Sequence, residues 1–375
     1  MPGLEFQKSA ETVHGGVATA HWLQGLPGKL SGCIYRSDLT KVHLSERFGG
    51  FMGDYVKSDN PERLTARPQG GKLNGRGLYL GHYMGGHYGH FITETLSTFW
   101  IFEEQPASSF DYFLFHPFVF GTEIPAYVEF CLRRFGVDPD KVVFIGAEPM
   151  AFDEMVTPER LFRLNHSADP RAAWVYRHIA EGCPAPVTPS PKLYLSRRRF
   201  SRGNFERVIA NEVDMEAEFR RRGFKILYPE TMSFDDQVGH YAHAAWVAGI
   251  SGSGLHNSLF MGEGAHLVEL GDPRYGGEPA PTQALCNHIS GVSARFIPFR
   301  GPRFGHRGTM LFDMAFLRGQ LDIVTGSAPA RSPARRGILQ WALDRLEVLY
   351  LSIRPSAGAI ARRIIGRVKS SPSAT

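Results

Sequence analysis

A histidine and a carboxylate, both able to transfer protons, stand one helical turn apart in the segment GGHYGHFITETL. A helix over 90–104 brings His90 and Glu94 side by side on one face, while Ile92, Leu96 and Phe99 face the core. A carboxylate beside a histidine suits a general base at neutral pH, for example one that takes the proton of a hydroxyl group. The alternative is a polar helix face that points to water and carries no chemistry.

A second segment, GISGSGLHN at 249–257, is unusually rich in glycine and follows the apolar run AAWVA. A turn with few side chains lets a ligand approach the backbone, and the start of the next helix offers N–H groups and a positive dipole. The pattern therefore predicts a pyrophosphate site. A tight strand-to-helix turn that only packs closely explains it equally well, because a lone glycine-rich turn is a weak signal.

Charged residues end two neighbouring strands. Arg197 and Arg198 follow KLYLS, and guanidinium groups bind phosphate oxygens in pairs. Glu269 lies near the end of HLVEL, where other nucleotide folds place a carboxylate that holds ribose hydroxyls. The alternatives are a solvated basic loop for the arginines and a capping or salt-bridging role for Glu269.

No pattern in the sequence is typical of a metal site. His82, His87 and His90 lie in a loop rich in glycine and tyrosine, with no paired acidic ligand, which is unlike a zinc helix or ribbon. The triplet DPD at 138–140 precedes a strand instead of ending one, so it predicts a turn. We expect no metal and no cofactor. The four cysteines form no CxxC pair, which predicts reduced thiols: Cys33, Cys131, Cys183 and Cys286.

Strands and helices alternate along the chain, as a parallel sheet requires. After residue 192, four strands with three crossovers predict half of a doubly wound sheet. The proline-rich stretch 183–191 predicts a linker, and residues 1–75 give no firm assignment. The predicted strands are 77–80, 111–117, 141–146, 192–196, 224–229, 245–250 and 266–270; the predicted helices are 90–104, 124–135, 206–222 and 233–244, with another beginning at 255.

The positive charge is concentrated at one end of the chain. The net charge is +5, but residues 331–375 carry nine Lys or Arg and two acids, so residues 1–330 have a net charge of −2. A body that is not basic argues against nucleic-acid binding. We expect no signal peptide and no membrane-spanning segment, hence a cytoplasmic protein. The tail is expected to be helical and amphipathic; it either contacts the anionic inner face of the cell membrane or packs on the body.

Four blocks in a fixed order resemble glycosyltransferase family 61, from about Gly85 to Leu270. They are GGHYGHFITETL; YLSRR followed by ERVIANE, which contains Arg207, Asn211 and Glu212; LYPETMSFDDQV; and VAGISGSGLHNSLFMGEGAHLVEL. The resemblance implies a GT-B-like fold, with two Rossmann-like doubly wound domains facing a cleft. We expect these domains at 1–182 on the acceptor side and at 192–330 for the nucleotide sugar, followed by the helical tail.

The resemblance also implies an inverting, metal-independent transfer of a hexose or pentose from a nucleotide sugar, usually a UDP-sugar. Glu94 would be the base that deprotonates an acceptor hydroxyl, and His90 would orient it or the acceptor. Arg197, Arg198 and the Ser253–Leu255 amides would hold the diphosphate, and Glu269 the ribose. The residues expected to bind substrate are His87, Arg197, Arg198, Arg207, Gly252, Ser253, Gly254, Leu255, His256, Asn257 and Glu269.

Three positions depart from the family pattern. Glu94 stands where many members have Asp, Ser251 where the family has His, and His256 where it has Thr. The leading hypothesis is a bacterial enzyme of surface or capsular polysaccharide synthesis that acts on a glycan or lipid-linked acceptor. The alternatives are an inactive family member that assembles a polysaccharide-synthesis complex, and a dinucleotide-dependent oxidoreductase. The oxidoreductase would need G-x-G-x-x-G after the first strand of its sheet.

Overall fold

The computed structural model describes residues 6–20, 32–51, 54–57, 60–117, 121–200, 208–275, 277–304 and 309–326 of the chain. Arg207 and the tail 331–375 lie outside the described residues, so what the sequence predicts for them stays a prediction. Within the described ranges, no helix combines the length and the apolar character needed to cross a membrane.

Helices and strands are mixed throughout, which confirms the α/β class. The strands are β1 (Ala10–His14), β2 (Val17–Ala18), β3 (Ile34–Tyr35), β4 (Phe48–Phe51), β5 (Asp54–Lys57), β6 (Gly71–Tyr83), β7 (Tyr112–Pro117), β8 (Val142–Phe144), β9 (Met150–Pro158), β10 (Phe162–Arg163), β11 (Ser167–Ala168), β12 (Lys192–Leu195), β13 (Lys225–Leu227), β14 (Trp246–Ile250), β15 (His266–Leu270), β16 (Ser293–Ile297), β17 (Arg303–Phe304) and β18 (Thr309–Met310). The α-helices are α1 (Tyr88–His90), α2 (Ala126–Arg134), α3 (Ala173–Glu181), α4 (Glu212–Arg221), α5 (Phe234–Ala242), α6 (Pro281–Ser290) and α7 (Met314–Thr325).

The sheet after residue 192 is parallel and has the strand order β13-β12-β14-β15-β16. The four strands predicted here are confirmed, and Ser233 caps α5 as its pattern suggested, since its side chain accepts a hydrogen bond from the Asp236 N–H. The fifth strand, β16, was missed because only its last residue is buried, so its sequence has no apolar run. Leu195 pairs with Gly249, which brings the segments after β12 and β14 to the same edge of the sheet.

The sheet before residue 192 is mixed and has the strand order β3-β2-β9-β6-β7-β8. Strands β6, β7 and β8 are parallel, as expected, and β9, which was not predicted, is parallel to β6. Strands β1, β2 and β3 are antiparallel to their neighbours, so this sheet is not the regular doubly wound sheet that the sequence suggested. The antiparallel strands come from the unassigned residues 1–75, and two of them are only two residues long, too short to show a periodicity.

The helical segment after β6 changes its pitch twice. It is an α-helix at α1, a π-helix over Phe91–Thr95 and a 3-10 helix over Leu96–Glu103. The predicted helical segment is therefore present, but it is not a regular α-helix with one apolar and one polar face. The π-helical turn is wide, a feature that is frequent at functional sites.

The main hydrophobic core contains residues of both sheets and of the helices between them. Tyr176 on α3 packs edge-on against Phe260, with ring centroids 5.7 Å apart. The predicted linker 183–191 contains no helix or strand and lies between α3 and β12. The two-domain GT-B arrangement and its boundaries stay predictions.

Candidate active site

Glu94 lies fully buried in the π-helical turn and has two cationic partners. Arg47 donates from Nε to Glu94 Oε2 at 2.9 Å and from Nη2 to Oε1 at 3.1 Å. The His90 Nδ1 lies 2.6 Å from Glu94 Oε1. The carboxylate is therefore held by a guanidinium fork on one side and an imidazole on the other.

These partners determine the protonation state of Glu94. Burial alone raises the pKa of a carboxyl group, but the charge of Arg47 and the hydrogen bond from His90 outweigh it and hold the pKa of Glu94 well below its usual range. A carboxylate with such a low pKa stays ionised at neutral pH and is a weak proton acceptor. Its geometry is that of a group that orients the neighbouring His90 imidazole and stabilises a positive charge on it.

His90 is the member of this pair that reaches solvent, since about a quarter of its side chain is exposed while Glu94 has no exposed surface. The His87 ring lies next to it, with ring centroids 4.4 Å apart. The alternative of a polar helix face toward water is wrong, because Thr93, Glu94 and Ser97 are all buried. The structure thus shows that these two residues, which the sequence could place only on a common face, are in contact and that Glu94 is buried.

Arg47 is the residue of the candidate site that sequence reasoning missed. It precedes β4, in the region that received no assignment, and it lies 47 positions from its partner. A contact at that separation leaves no spacing pattern in a single sequence. The only available signal was a buried carboxylate that would need a cationic partner.

The helix that carries His90 lies directly against the glycine-rich turn after β14. A Cβ at Gly89 would come within 2.6 Å of Ser253 Oγ and 3.5 Å of the His256 ring. The Tyr88 hydroxyl donates to Asn257 Oδ1, and the Tyr241 hydroxyl donates to the Gly254 carbonyl at 2.9 Å. The two segments that the sequence singled out separately are therefore neighbours in space.

The three glycines at 249, 252 and 254 differ in their backbone conformation and in the space around a hypothetical Cβ. Gly249 packs against Leu195 and Leu255, with 3.2 and 3.3 Å to a hypothetical Cβ. Gly252 has φ +149°, which side chains strongly disfavour. Gly254 has φ −64° and no described atom within 4 Å of a hypothetical Cβ. Neither packing nor backbone conformation requires a glycine at 254, which fits a position that a ligand approaches closely.

The turn offers fewer free amides than the sequence suggested. A six-residue 3-10 helix, Leu255–Phe260, follows it instead of an α-helix, so the dipole contribution is small. The Leu255 N–H already donates to the Gly252 carbonyl at 2.8 Å, and Leu255 is buried. Among the described residues, the amides of Ser253 and Gly254 have no acceptor. They are the donors that the turn can present to an anion.

Glu269 and His256 have internal partners. Glu269 Oε1 accepts from Ser251 Oγ at 2.7 Å and from the Ala280 N–H, just before α6, at 3.1 Å; burial raises the pKa of Glu269, and these bonds oppose the shift. This is the contact of a capping carboxylate, the alternative considered for Glu269, and a ribose contact stays a prediction. His256 Nδ1 lies 2.8 Å from Gln283 Oε1.

The arginines after β12 lie beside buried acids. The Arg197 N–H donates to Glu212 Oε1 at 2.6 Å, and Arg198 Nη1 lies 3.9 Å from Glu216 Oε2. Burial raises the pKa of Glu212 to about 7. The side chain of Arg198 is half exposed, so it remains accessible to a ligand at the edge where β12 and β14 end.

Two further sequence predictions concern metals and thiols. In the part of the chain that the structure describes, no group of three or more His, Cys, Asp and Glu side chains is arranged to hold a metal ion. The four cysteines are unpaired, as predicted. The DPD triplet forms a turn, since Asp138 caps the short 3-10 helix Pro139–Lys141.

Comparison with known proteins gives one result. Residues 88–268 match the family model described as Glycosyltransferase 61. The match begins at the Tyr88 helix, includes the His90–Glu94 pair and the glycine-rich turn, and ends inside β15. No curated protein matches the chain.

Proposed function

Because this chain belongs to glycosyltransferase family 61 through residues 88–268, we propose that it transfers a sugar from a nucleotide sugar to an acceptor hydroxyl with inversion. The family indicates a glycosyltransferase with a sugar donor and an acceptor. The inverting transfer from a nucleotide sugar is supported by the contact between the helix that carries His90 and the turn that contains Ser253. A proton-transfer pair and an anion-binding turn then border the same space.

In the proposed reaction, His90 takes the proton of the acceptor hydroxyl. The acceptor oxygen then forms a bond to the anomeric carbon of the donor, and the bond from that carbon to the diphosphate oxygen breaks. Glu94, held by Arg47, fixes the orientation of the His90 ring and stabilises its positive charge after the proton has moved. This assignment exchanges the roles that the family resemblance suggested, because the low pKa of Glu94 makes it the weaker base.

The diphosphate that leaves carries the negative charge that develops during the reaction. The amides of Ser253 and Gly254 and the side chains of Arg197 and Arg198 are the groups proposed to bind it. Such donors stabilise a leaving diphosphate without a metal ion, which supports the metal-independent form of the proposal. Asn257 and Tyr88 hold the turn against the catalytic helix.

The same proposal includes the donor, the domain arrangement, the acceptor and the place in the cell where the enzyme acts. The donor is a UDP-sugar, and the chain has the GT-B arrangement of two domains. The acceptor is a glycan or a lipid-linked glycan of bacterial surface or capsular polysaccharide. The enzyme acts at the inner face of the cell membrane, which it contacts through the basic tail 331–375; the charge distribution of the sequence supports this last part.

The test is thermal stability of the full chain against UDP, GDP, dTDP, CMP and NAD, each with and without a chelator. A ligand at about 100 times its dissociation constant adds about 2.7 kcal/mol to the free energy of unfolding. We expect one uridine nucleotide to raise the melting temperature regardless of chelator, with a smaller rise in Arg197→Ala. A rise only with NAD would favour the oxidoreductase, and no rise with any nucleotide would contradict the donor site.

A further inference from the structure

A small cavity lies at the edge of the sheet before residue 192, next to the residues that follow β9. One of its lining residues, Arg160, is close enough to Glu94 to be affected by its charge. The cavity has a volume of about 30 Å³ and is lined by His43, Leu44, Glu46, Glu159, Arg160 and Arg163. This is room for about two water-sized groups. A carboxylate or one face of a phosphate group has a similar size.

In the described part of the chain, the lysine and arginine side chains on or next to this cavity are paired with carboxylates, except for Arg160. The matched pairs are Lys41 with Glu46 at 2.8 Å, Arg47 with Glu94 at 2.9 Å and Arg163 with Glu159 at 3.0 Å. Arg160 makes no ion pair among the described residues. Its Nη2 lies 3.3 Å from the His82 Nδ1.

The guanidinium of Arg160 is nearly inaccessible to solvent. The residue is 6% exposed, and its Nε and Nη1 have no hydrogen-bond partner among the described residues. Burial lowers the pKa of Arg160, and the nearby charge of Glu94 opposes this effect. A buried charge without a counter-ion is costly, so proteins that keep one usually have a use for it.

The backbone is shaped to hold Arg160 in this position. Gly81 has φ +83°, and a Cβ there would lie 2.7 Å from Arg160 Nη2. Any larger residue at 81 would displace the guanidinium from the end of β6. The glycine therefore keeps the charge next to the strand that leads to the His90–Glu94 helix.

We propose that this cavity is an oxyanion-binding site in which Arg160, assisted by Arg163, binds a carboxylate or phosphate group. The bound group supplies the counter-ion that Arg160 lacks, through the paired N–H geometry that guanidinium groups favour. Taken together with the proposed function, on which this part rests, the group belongs to the acceptor, which is then an acidic sugar: a uronic acid or a sugar phosphate.

The experiment uses three ligands that share one ring and differ at C6: glucose, glucuronate and glucose 6-phosphate. The melting temperature of the full chain is measured with each, at ionic strength matched with NaCl. We expect a saturable rise with one or both of the charged sugars and none with glucose. A rise with glucuronate identifies a carboxylate ligand, and a rise with glucose 6-phosphate a phosphate ligand. No rise beyond that of NaCl would overturn the proposal.

Two variants test whether the rise in melting temperature comes from binding at this cavity. In Arg160→Met the rise is lost, while the ligand-free protein melts at the same or a higher temperature, because a methionine of similar volume removes an unpaired charge. In Arg197→Met, which changes the proposed diphosphate site, the rise remains. A rise that persists in Arg160→Met, or that is lost in Arg197→Met alone, would overturn the proposal.

A second variant keeps the test decisive if Arg160→Met does not fold. Arg160→Lys retains the charge but loses the paired donors, so calorimetric titration should give a dissociation constant weaker by about tenfold or more; unchanged affinity would contradict the site. Nucleotides tested on the same protein report on the donor site separately. A nucleotide response without an oxyanion response overturns this inference alone, and the reverse result overturns the donor site alone.

Discussion

Gly89 lies against Ser253, so close that a Cβ at residue 89 would come within 2.6 Å of the serine hydroxyl and 3.0 Å of its Cβ. This contact joins the helix of His90 and Glu94 to the turn proposed to bind the diphosphate. The spacing between the proton acceptor and the leaving group therefore depends on the absence of one side chain.

Gly89→Ala should push the turn away from the helix. Overpacking of this kind costs about 1–3 kcal/mol, and we expect it to weaken nucleotide binding about tenfold. The matched partner is Ser253→Gly, which removes the atoms that the new methyl group meets. Nucleotide affinity in the double variant should recover most of the loss; no recovery would mean that the two residues do not set the position of the turn.

Gly254→Ala should separate stability from binding. The φ of −64° suits alanine and the Cβ would meet no described atom, so the free energy of unfolding should be unchanged or higher by about 0.4–1 kcal/mol. Nucleotide affinity should fall because the methyl group occupies the path of the phosphate. Gly319→Ala on α7, also with open space at its Cβ, is the control and should leave nucleotide affinity unchanged. Equal affinities in the two variants would argue against a phosphate at the turn.

The Arg47–Glu94 pair should contribute strongly to stability because both side chains are buried. Arg47→Met leaves the Glu94 carboxylate with His90 alone and should lower the free energy of unfolding in urea by about 3–5 kcal/mol. In the exposed pair of Arg133 with Glu129, Arg133→Met should cost about 0.5 kcal/mol or less. Similar losses in the two variants would show that the buried pair is not formed.

Glu212 should make stability depend on pH. Its pKa is about 7 in the folded chain because of burial, above the ordinary value of 4.5, so folding favours the protonated form. This raises the free energy of unfolding by up to about 3 kcal/mol. The contribution is complete below about pH 4.5 and is lost as the pH rises to about 7. Glu212→Gln should remove this part of the pH dependence, as measured by urea unfolding at pH 5 and pH 8. The same difference between the two pH values in wild type and variant would refute the assignment.

Much of the sheet after residue 192 was predictable, since KLYLS, AWVAGI and HLVEL are buried strands whose apolar runs are visible in the sequence. The site was only partly predictable. The spacing of His90 and Glu94 predicts that they are neighbours, yet the burial of Glu94 depends on Arg47, whose contact with Glu94 is long-range. Arg160 gave no signal either, because its role arises from the charges around it. Such features are set by tertiary packing, which no local pattern encodes.

The central claim is that His90 is the base and Glu94 the group behind it. The most direct measurement is the rate of nucleotide release from the donor sugar in His90→Asn, together with nucleotide affinity in the same variant. Loss of a general base lowers the rate by about 100-fold or more, and we expect this with nucleotide affinity unchanged. His166→Asn, at an exposed histidine whose Nδ1 lies 2.8 Å from the Ser167 hydroxyl, is the control and should retain the full rate. A full rate in His90→Asn would contradict the account.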